Sequence, residues 1–200
     1  MRTKTRRILM NMAIAAVMLI TAGTEADARG RNGYTDANDV KRIEVEAGGG
    51  FIRGNRYMDN PSKIGMLLFL EVRNNFPGTP FDISLQGSLG SFSRKNSEVR
   101  VNFNGGMAFF ADYNWRFSRK VAPFLGLGAG FYCVETASLE AAEDGNMVMN
   151  RLPETVFVIN PRFGLELFEH LRITLEYRWM KNPYSFLGLN VGFAFGGGRK

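Results

Sequence analysis

Covalent and metal chemistry have almost no residues to work with in this chain. Among its 200 residues Cys133 is the only cysteine and His170 the only histidine. That excludes an intramolecular disulfide, a four-cysteine zinc site and any thiol pair, and leaves metal binding almost no ligands. A general base must touch the group it activates, but His170 falls in a tight Glu169-His170 turn between two hydrophobic runs, where it reads as a turn residue. The glycines of Gly126-Leu127-Gly128-Ala129-Gly130 lack the G-x-G-x-x-G spacing, and no helical pattern follows them, so they are not a dinucleotide fingerprint. The sequence therefore nominates no catalytic, cofactor-binding or metal-binding residue, and a non-enzymatic protein is expected.

The residues that remain for polar work are carboxylates and guanidiniums at alternate positions. Glu44, Glu46, Glu71, Glu166 and Glu176 stand against Arg73, Arg100, Arg162, Arg172 and Arg178. The segment that shows how they are held is Leu171 to Lys181, LRITLEYRWMK. Leu171, Ile173, Leu175, Tyr177 and Trp179 share one face, and Arg172, Thr174, Glu176 and Arg178 share the other. Strict period-two alternation is the mark of a two-faced strand, since a helix would scatter both sets around its circumference. About nine to eleven such residues also span a hydrocarbon core when the strand is tilted.

The same unit recurs. Alternation predicts strands over 41–53, 64–74, 81–91, 99–115, 121–136, 154–168, 171–181 and 187–195. Proline, glycine and asparagine punctuate the connections, as in Asn60-Pro61, Pro77-Gly78-Thr79-Pro80 and Asn182-Pro183. Connections are alternately longer and very short, and 137–153 reads as the longest loop. Eight antiparallel strands of this kind close into an up-and-down barrel.

Ahead of the strands, residues 1–28 read as a cleaved signal peptide. A basic start is followed by an apolar run from Ile8 to Ala22, broken only by Asn11 and Thr21, and then by Ala26-Asp27-Ala28 as a small-residue cleavage site. Residues 29–40 are polar and rich in Gly, Asn and Asp, the composition of a flexible lead-in. The barrel occupies 41–195, and 196–200 form a tail. The formal charge of +6 belongs only in part to residues 1–28; what remains is 21 basic and 17 acidic residues of mixed order, a modest excess. No basic run interleaved with aromatics points to nucleic acid. No later stretch is long and apolar enough for a transmembrane helix, so a membrane form must be a barrel.

Alternation alone does not say which face is the interior, and a secreted barrel that binds a small ligand shows the same period. Volume favours the apolar face outward. Eight strands enclose a cylinder that side chains just fill, and the apolar faces hold Phe51, Phe81, Phe103, Phe109, Phe131, Phe157, Phe163, Phe193 and Phe195, whereas the opposite faces are rich in Gly, Ala, Ser and Asn. The ten charges named above then lie inside, paired, in a plugged lumen. An arginine on the lipid face near the midplane would cost about 2–4 kcal/mol.

On these strands, and on the terminal Gly188-Leu189-Asn190-Val191-Gly192-Phe193-Ala194-Phe195, the chain resembles the family of small eight-stranded outer-membrane β-barrels, the kind represented by OmpX and the transmembrane part of OmpA. The resemblance covers the signal sequence and about residues 41–195. It implies a transmembrane β-barrel in the bacterial outer membrane, surrounded by lipid and lipopolysaccharide. Phe193 and Phe195 would be the aromatics of a C-terminal signal for the outer-membrane barrel assembly machinery. Loops 53–63, which is basic, and 137–153, which is acidic, would face outward and could meet a surface partner. The enzymatic counterpart of this architecture, a barrel that modifies lipid A, relies on a Ser-His type pair near the outer rim, and His170 is predicted at the opposite end.

Overall fold

The computed structural model describes residues 40–56, 60–95, 100–116, 120–141 and 147–196, with the backbone only at 138–141 and 147–150. The expected signal peptide, all of the 29–40 lead-in but Val40, and the tail beyond Gly196 lie outside the described residues.

Eight strands follow one another: β1 (Ile43–Gly54), β2 (Ile64–Asn75), β3 (Phe81–Ser93), β4 (Arg100–Asn114), β5 (Val121–Ala141), β6 (Met147–Leu167), β7 (Leu171–Arg178) and β8 (Phe186–Phe195). Each pairs antiparallel with its sequence neighbour, and β8 returns to β1, so the sheet is a closed barrel. The seam runs from Val45↔Phe195 to Gly54↔Phe186. Where all eight strands pair, closure satisfies the backbone N–H and C=O groups of the cylinder internally; only β6 rises past its β7 neighbour, with which it pairs over Arg162–Leu167.

The pleat sorts side chains as the alternation predicts. Phe51, Phe109, Phe131, Phe157 and Phe163 point away from the axis, with Phe131 62% exposed. Leu and Val side chains of β2, β5 and β8 complete an apolar belt around the outside. Small residues line the inner wall where bulk comes from across the pair. A Cβ on Gly128 would run into the ring of Phe110, and one on Gly126 into the carboxylate of Asp112.

Three expectations need correction. First, Val101 and Phe103 do not share the outward face of Met107 and Phe109. Between Phe103 and Gly106 the register with both β3 and β5 shifts, because β4 carries a bulge at Asn104-Gly105. Gly105 takes φ +135° there, a conformation that side chains rarely adopt. The extra residue turns Phe103 inward, where it is 2% exposed, and turns Arg100 outward. Second, 137–153 is largely not a loop. The β5–β6 ladder continues to Ala141↔Met147, so 137–141 and 147–153 are strand, and 142–146 lie outside the described residues. Third, β7 ends at Arg178, and Trp179 holds Ile159 through a single isolated bridge before the chain leaves the wall. Smaller shifts of one or two residues affect the ends of β3 and β8.

Neighbours on β5 test which face is which. Gly128→Leu forces a side chain into Phe110 and should destabilise the folded barrel by about 3 kcal/mol or prevent folding. Ala129→Leu points to the outer belt and should change stability by less than about 0.5 kcal/mol. Urea titration of the two variants folded in lipid vesicles checks this; equal losses would reverse the assignment of faces.

Candidate functional site

With neither a histidine nor a cysteine cluster to build on, the concentrated polar chemistry of the molecule is its interior. Strand geometry delivers it: every second residue of β1, β2, β3, β4, β6 and β7 projects toward the axis, and tilted neighbours bring residues far apart in sequence into one layer.

Arg162 of β6 sits at the middle of this cluster. Its Nη1 and Nη2 donate to both oxygens of Glu71 at 2.6 and 2.9 Å, and its Nε and Nη2 donate to both oxygens of Asp112 at 3.0 and 2.6 Å. One guanidinium is thus clamped bidentately from both sides, the geometry in which arginine binds carboxylates best. Its Cζ lies 3.7 Å from the ring centre of Phe110, which covers its face. Arg73 is the second centre, donating to Glu44 at 2.8 Å and Glu46 at 2.6 Å, with Asp82 and Glu166 at 3.8 and 3.7 Å. Arg172 bonds Asp112 at 3.3 Å and stacks over Phe124 at 3.7 Å.

Arg178 lies toward the other end of the polar layer. It pairs with Glu176 and donates to Ser88 at 2.6 Å and Gln86 at 2.8 Å, while Ser88 also bonds the hydroxyl of Tyr132 at 2.9 Å. Asn160 donates to the second oxygen of Glu176 at 2.9 Å. Amides and hydroxyls therefore link the separate ion pairs into one network. Arg73, Arg162, Arg172 and Arg178 are each at most 4% exposed.

Nine of the ten charges placed inside by the alternation are brought together here. Arg100 is not; beyond the bulge it faces out and donates to Ser91. Two carboxylates were missing from that set. Asp82 shares the inward face with Ser84 and Gln86, and Asp112 lies two residues beyond Phe110. Both were legible from parity once strand ends were fixed. Among the described residues the ion network holds seven carboxylates and four buried guanidiniums, and Arg116 at the short-turn mouth bonds Asn75 at 2.9 Å.

The expectation of a lumen lined by Gly, Ala, Ser and Asn plus ion pairs holds for only part of its length. Toward the longer connections the interior is an apolar core of Ile52, Leu67, Phe92, Val101, Phe103, Tyr132, Val134, Val156, Val158, Met180, Tyr184 and Phe186. Phe103 meets Phe186 at 5.0 Å and Phe92 at 5.8 Å between ring centres. Above it Arg94, 3% exposed, donates to the carbonyls of Asn55, Asn60 and Pro183, tying three connections across that mouth.

His170 lies at the short-turn end, its Nδ1 3.1 Å from the carbonyl of Ala194 and its ring stacked 5.5 Å from Phe193. Cys133 faces outward beside Thr155, 3.9 Å from its hydroxyl. The described residues contain no group of three or more potential metal ligands.

A closed, all-antiparallel barrel of eight strands with a belted outside and a filled inside is the fold of the small eight-stranded outer-membrane barrels, and one solved structure shares it at a TM-score above 0.5. The Neisserial surface protein A superposes with a TM-score of 0.54 at 10% identity, covering 78% of this chain and 98% of that one. The N-terminal β-barrel domain of Pseudomonas aeruginosa OprF (TM-score 0.41, 16% identity, 79% and 98% covered) and the attachment invasion locus protein Ail of Yersinia pestis (0.48, 15%, 77% and 98%) are further matches. No protein-family profile and no curated protein sequence matches the chain.

Removing one partner of a buried charge set leaves the others uncompensated. Arg162→Met should therefore cost about 3–5 kcal/mol in vesicles, and Arg100→Met, on the outer surface, less than about 0.5 kcal/mol. Urea midpoints followed by tryptophan emission distinguish the two; similar midpoints would mean that Arg162 does not organise the interior.

Proposed function

We propose that the protein is a non-enzymatic integral protein of the bacterial outer membrane, exported by a cleaved N-terminal signal and closed to permeation along its axis. The barrel is then a scaffold, and what the cell uses is carried by the connections at the longer-loop end.

The observation that supports this reading most is the two-sided character of the wall. Outside, Phe, Leu and Val side chains 40–70% exposed form a continuous belt that in water would be a large hydrophobic liability. Inside, Arg73, Arg162, Arg172 and Arg178, which lipid would reject, are each held against one or more carboxylates. A soluble barrel would have to show the reverse. Aromatics near the ends fit the same picture: Tyr113 packs against Phe81 and Trp115 at the short-turn end, and Trp179 lies at the other, as at membrane interfaces.

Closure to permeation is supported by the Phe92–Phe103–Phe186 packing and the Arg94 ties stacked above the ion network. Docking of the C-terminal strand to the assembly machinery through Phe193 and Phe195, both outward, belongs to the same proposal. So does contact of the 53–63 connection and the raised β5–β6 hairpin with lipopolysaccharide or a surface partner.

Purified protein in planar bilayers should give no discrete conductance steps, and Phe103→Gly combined with Phe186→Gly, which empties the apolar plug, should permit them or destabilise the barrel. Steady channels from the unaltered protein would refute the sealed interior. In fractionated cells the protein should sediment with outer membranes and migrate faster on gels before boiling than after.

A further inference from the structure

Where β7 leaves the wall, the outside of the barrel is notched. β6 continues upward from Ile159 toward Met147, but β7 stops at Arg178, and past Trp179 the chain turns off through Lys181. The result is a cavity of about 450 Å³ open to the surroundings, within the size range of small-ligand pockets. Its walls are Phe157, Ile159 and Trp179, and Val156 and Met180 form its floor. Its polar lining is Thr155 and, at the upper end, Glu154 and Lys181, which pair at 2.6 Å, with the Tyr184 hydroxyl donating to Glu154.

The notch also straddles a boundary. Phe131↔Phe157 is the last outward aromatic pair on the β5–β6 ladder, and the next outward pair is Cys133↔Thr155, while β4 at this height presents Asn104 and Asn102. The apolar wall thus lies at belt height and the ionic rim at its upper margin. An occupant must be an amphiphile with its tail down and its head at the rim. Water does not suit the lower part, which offers few of the partners an ordered water needs.

Lysine supplies three donors, of which Glu154 takes one, and the Lys181 side chain is 68% exposed. We propose that the notch seats one acyl chain of an anionic, phosphate-bearing lipid of the longer-loop leaflet, with its phosphate accepting from Lys181. This rests on the membrane reading above and adds to it a specific lipid site.

Trp179 in the wall reports on the occupant directly, and the chain's other tryptophan, Trp115, lies at the opposite end. Trp115→Phe protein would be folded into zwitterionic vesicles containing a minor fraction of lipid brominated on its acyl chains, carrying either an anionic phosphatidylglycerol or a phosphatidylcholine headgroup. One lysine near a membrane surface corresponds to roughly a fivefold advantage for the anionic lipid. Quenching of Trp179 should therefore be stronger with the anionic quencher, and Lys181→Met in the same background should equalise the two. Trp179→Phe protein, reporting from Trp115, should show no such preference. Equal quenching of Trp179 by both lipids, or a preference that survives Lys181→Met, would overturn the site while leaving the membrane barrel intact. If neither lipid quenches Trp179 in the folded protein, the membrane reading itself fails.

Discussion

The guanidinium of Arg162, held by two carboxylates at once, is the joint on which the interior depends. A barrel whose outside is hydrocarbon-like must place its charges on the inner face of the same strands, and a narrow cylinder cannot dilute them with water. Each charge then needs its partner within the wall. Glu71 illustrates how far the sharing goes: it accepts from Arg162 through both oxygens and from Gln86 through one, while Arg73 approaches at 3.4 Å. No single strand could assemble this set, so the network also fixes which strands face one another. A one-residue slip of β6 would send Arg162 to the lipid side and leave Glu71 and Asp112 facing each other.

Polar and apolar matter are segregated along the axis as well as across the wall. Ions occupy the part nearer the short turns, and an aromatic and aliphatic plug occupies the part nearer the long connections. The β4 bulge makes this division possible. It changes the parity of β4 between Phe103 and Gly106, so that hydrophobic residues face out below it and in above it. Above the bulge the outward positions are Asn104, Asn102 and Arg100, which suit a segment rising past the hydrocarbon. One backbone irregularity thus adapts one strand to two environments. The Arg94 ties then join connections that the strands alone leave separate.

Most of the architecture was legible because period-two alternation is a direct image of a two-faced sheet. Strand number, order and closure follow from it; the outward face needs the volume of the phenylalanines besides, and nine of the ten interior charges then fall into place. Parity counting failed where a residue was inserted: Asn104-Gly105 carries no hydrophobic signature, so Val101 and Phe103 were assigned with Met107 and Phe109. The apolar plug had left a trace. By parity Leu67, Val156 and Val158 share the faces of Glu71 and Arg162. The β5–β6 extension was hidden for another reason. Over 137–141 and 147–153 the sequence shows no period-two alternation, and the ladder there is one of backbone pairing. The Trp179 notch depends on where one strand stops, which sequence pattern marks only loosely.

The central claim is that the hydrophobic face of the sheet meets lipid while the ions are enclosed. The most direct test is to dilute urea-unfolded residues 29–200 into buffer with and without lipid vesicles. The account predicts a compact, heat-modifiable species only where vesicles are present, with aggregation in buffer alone. A soluble, folded monomer in the absence of lipid and detergent would place the apolar side within and contradict it.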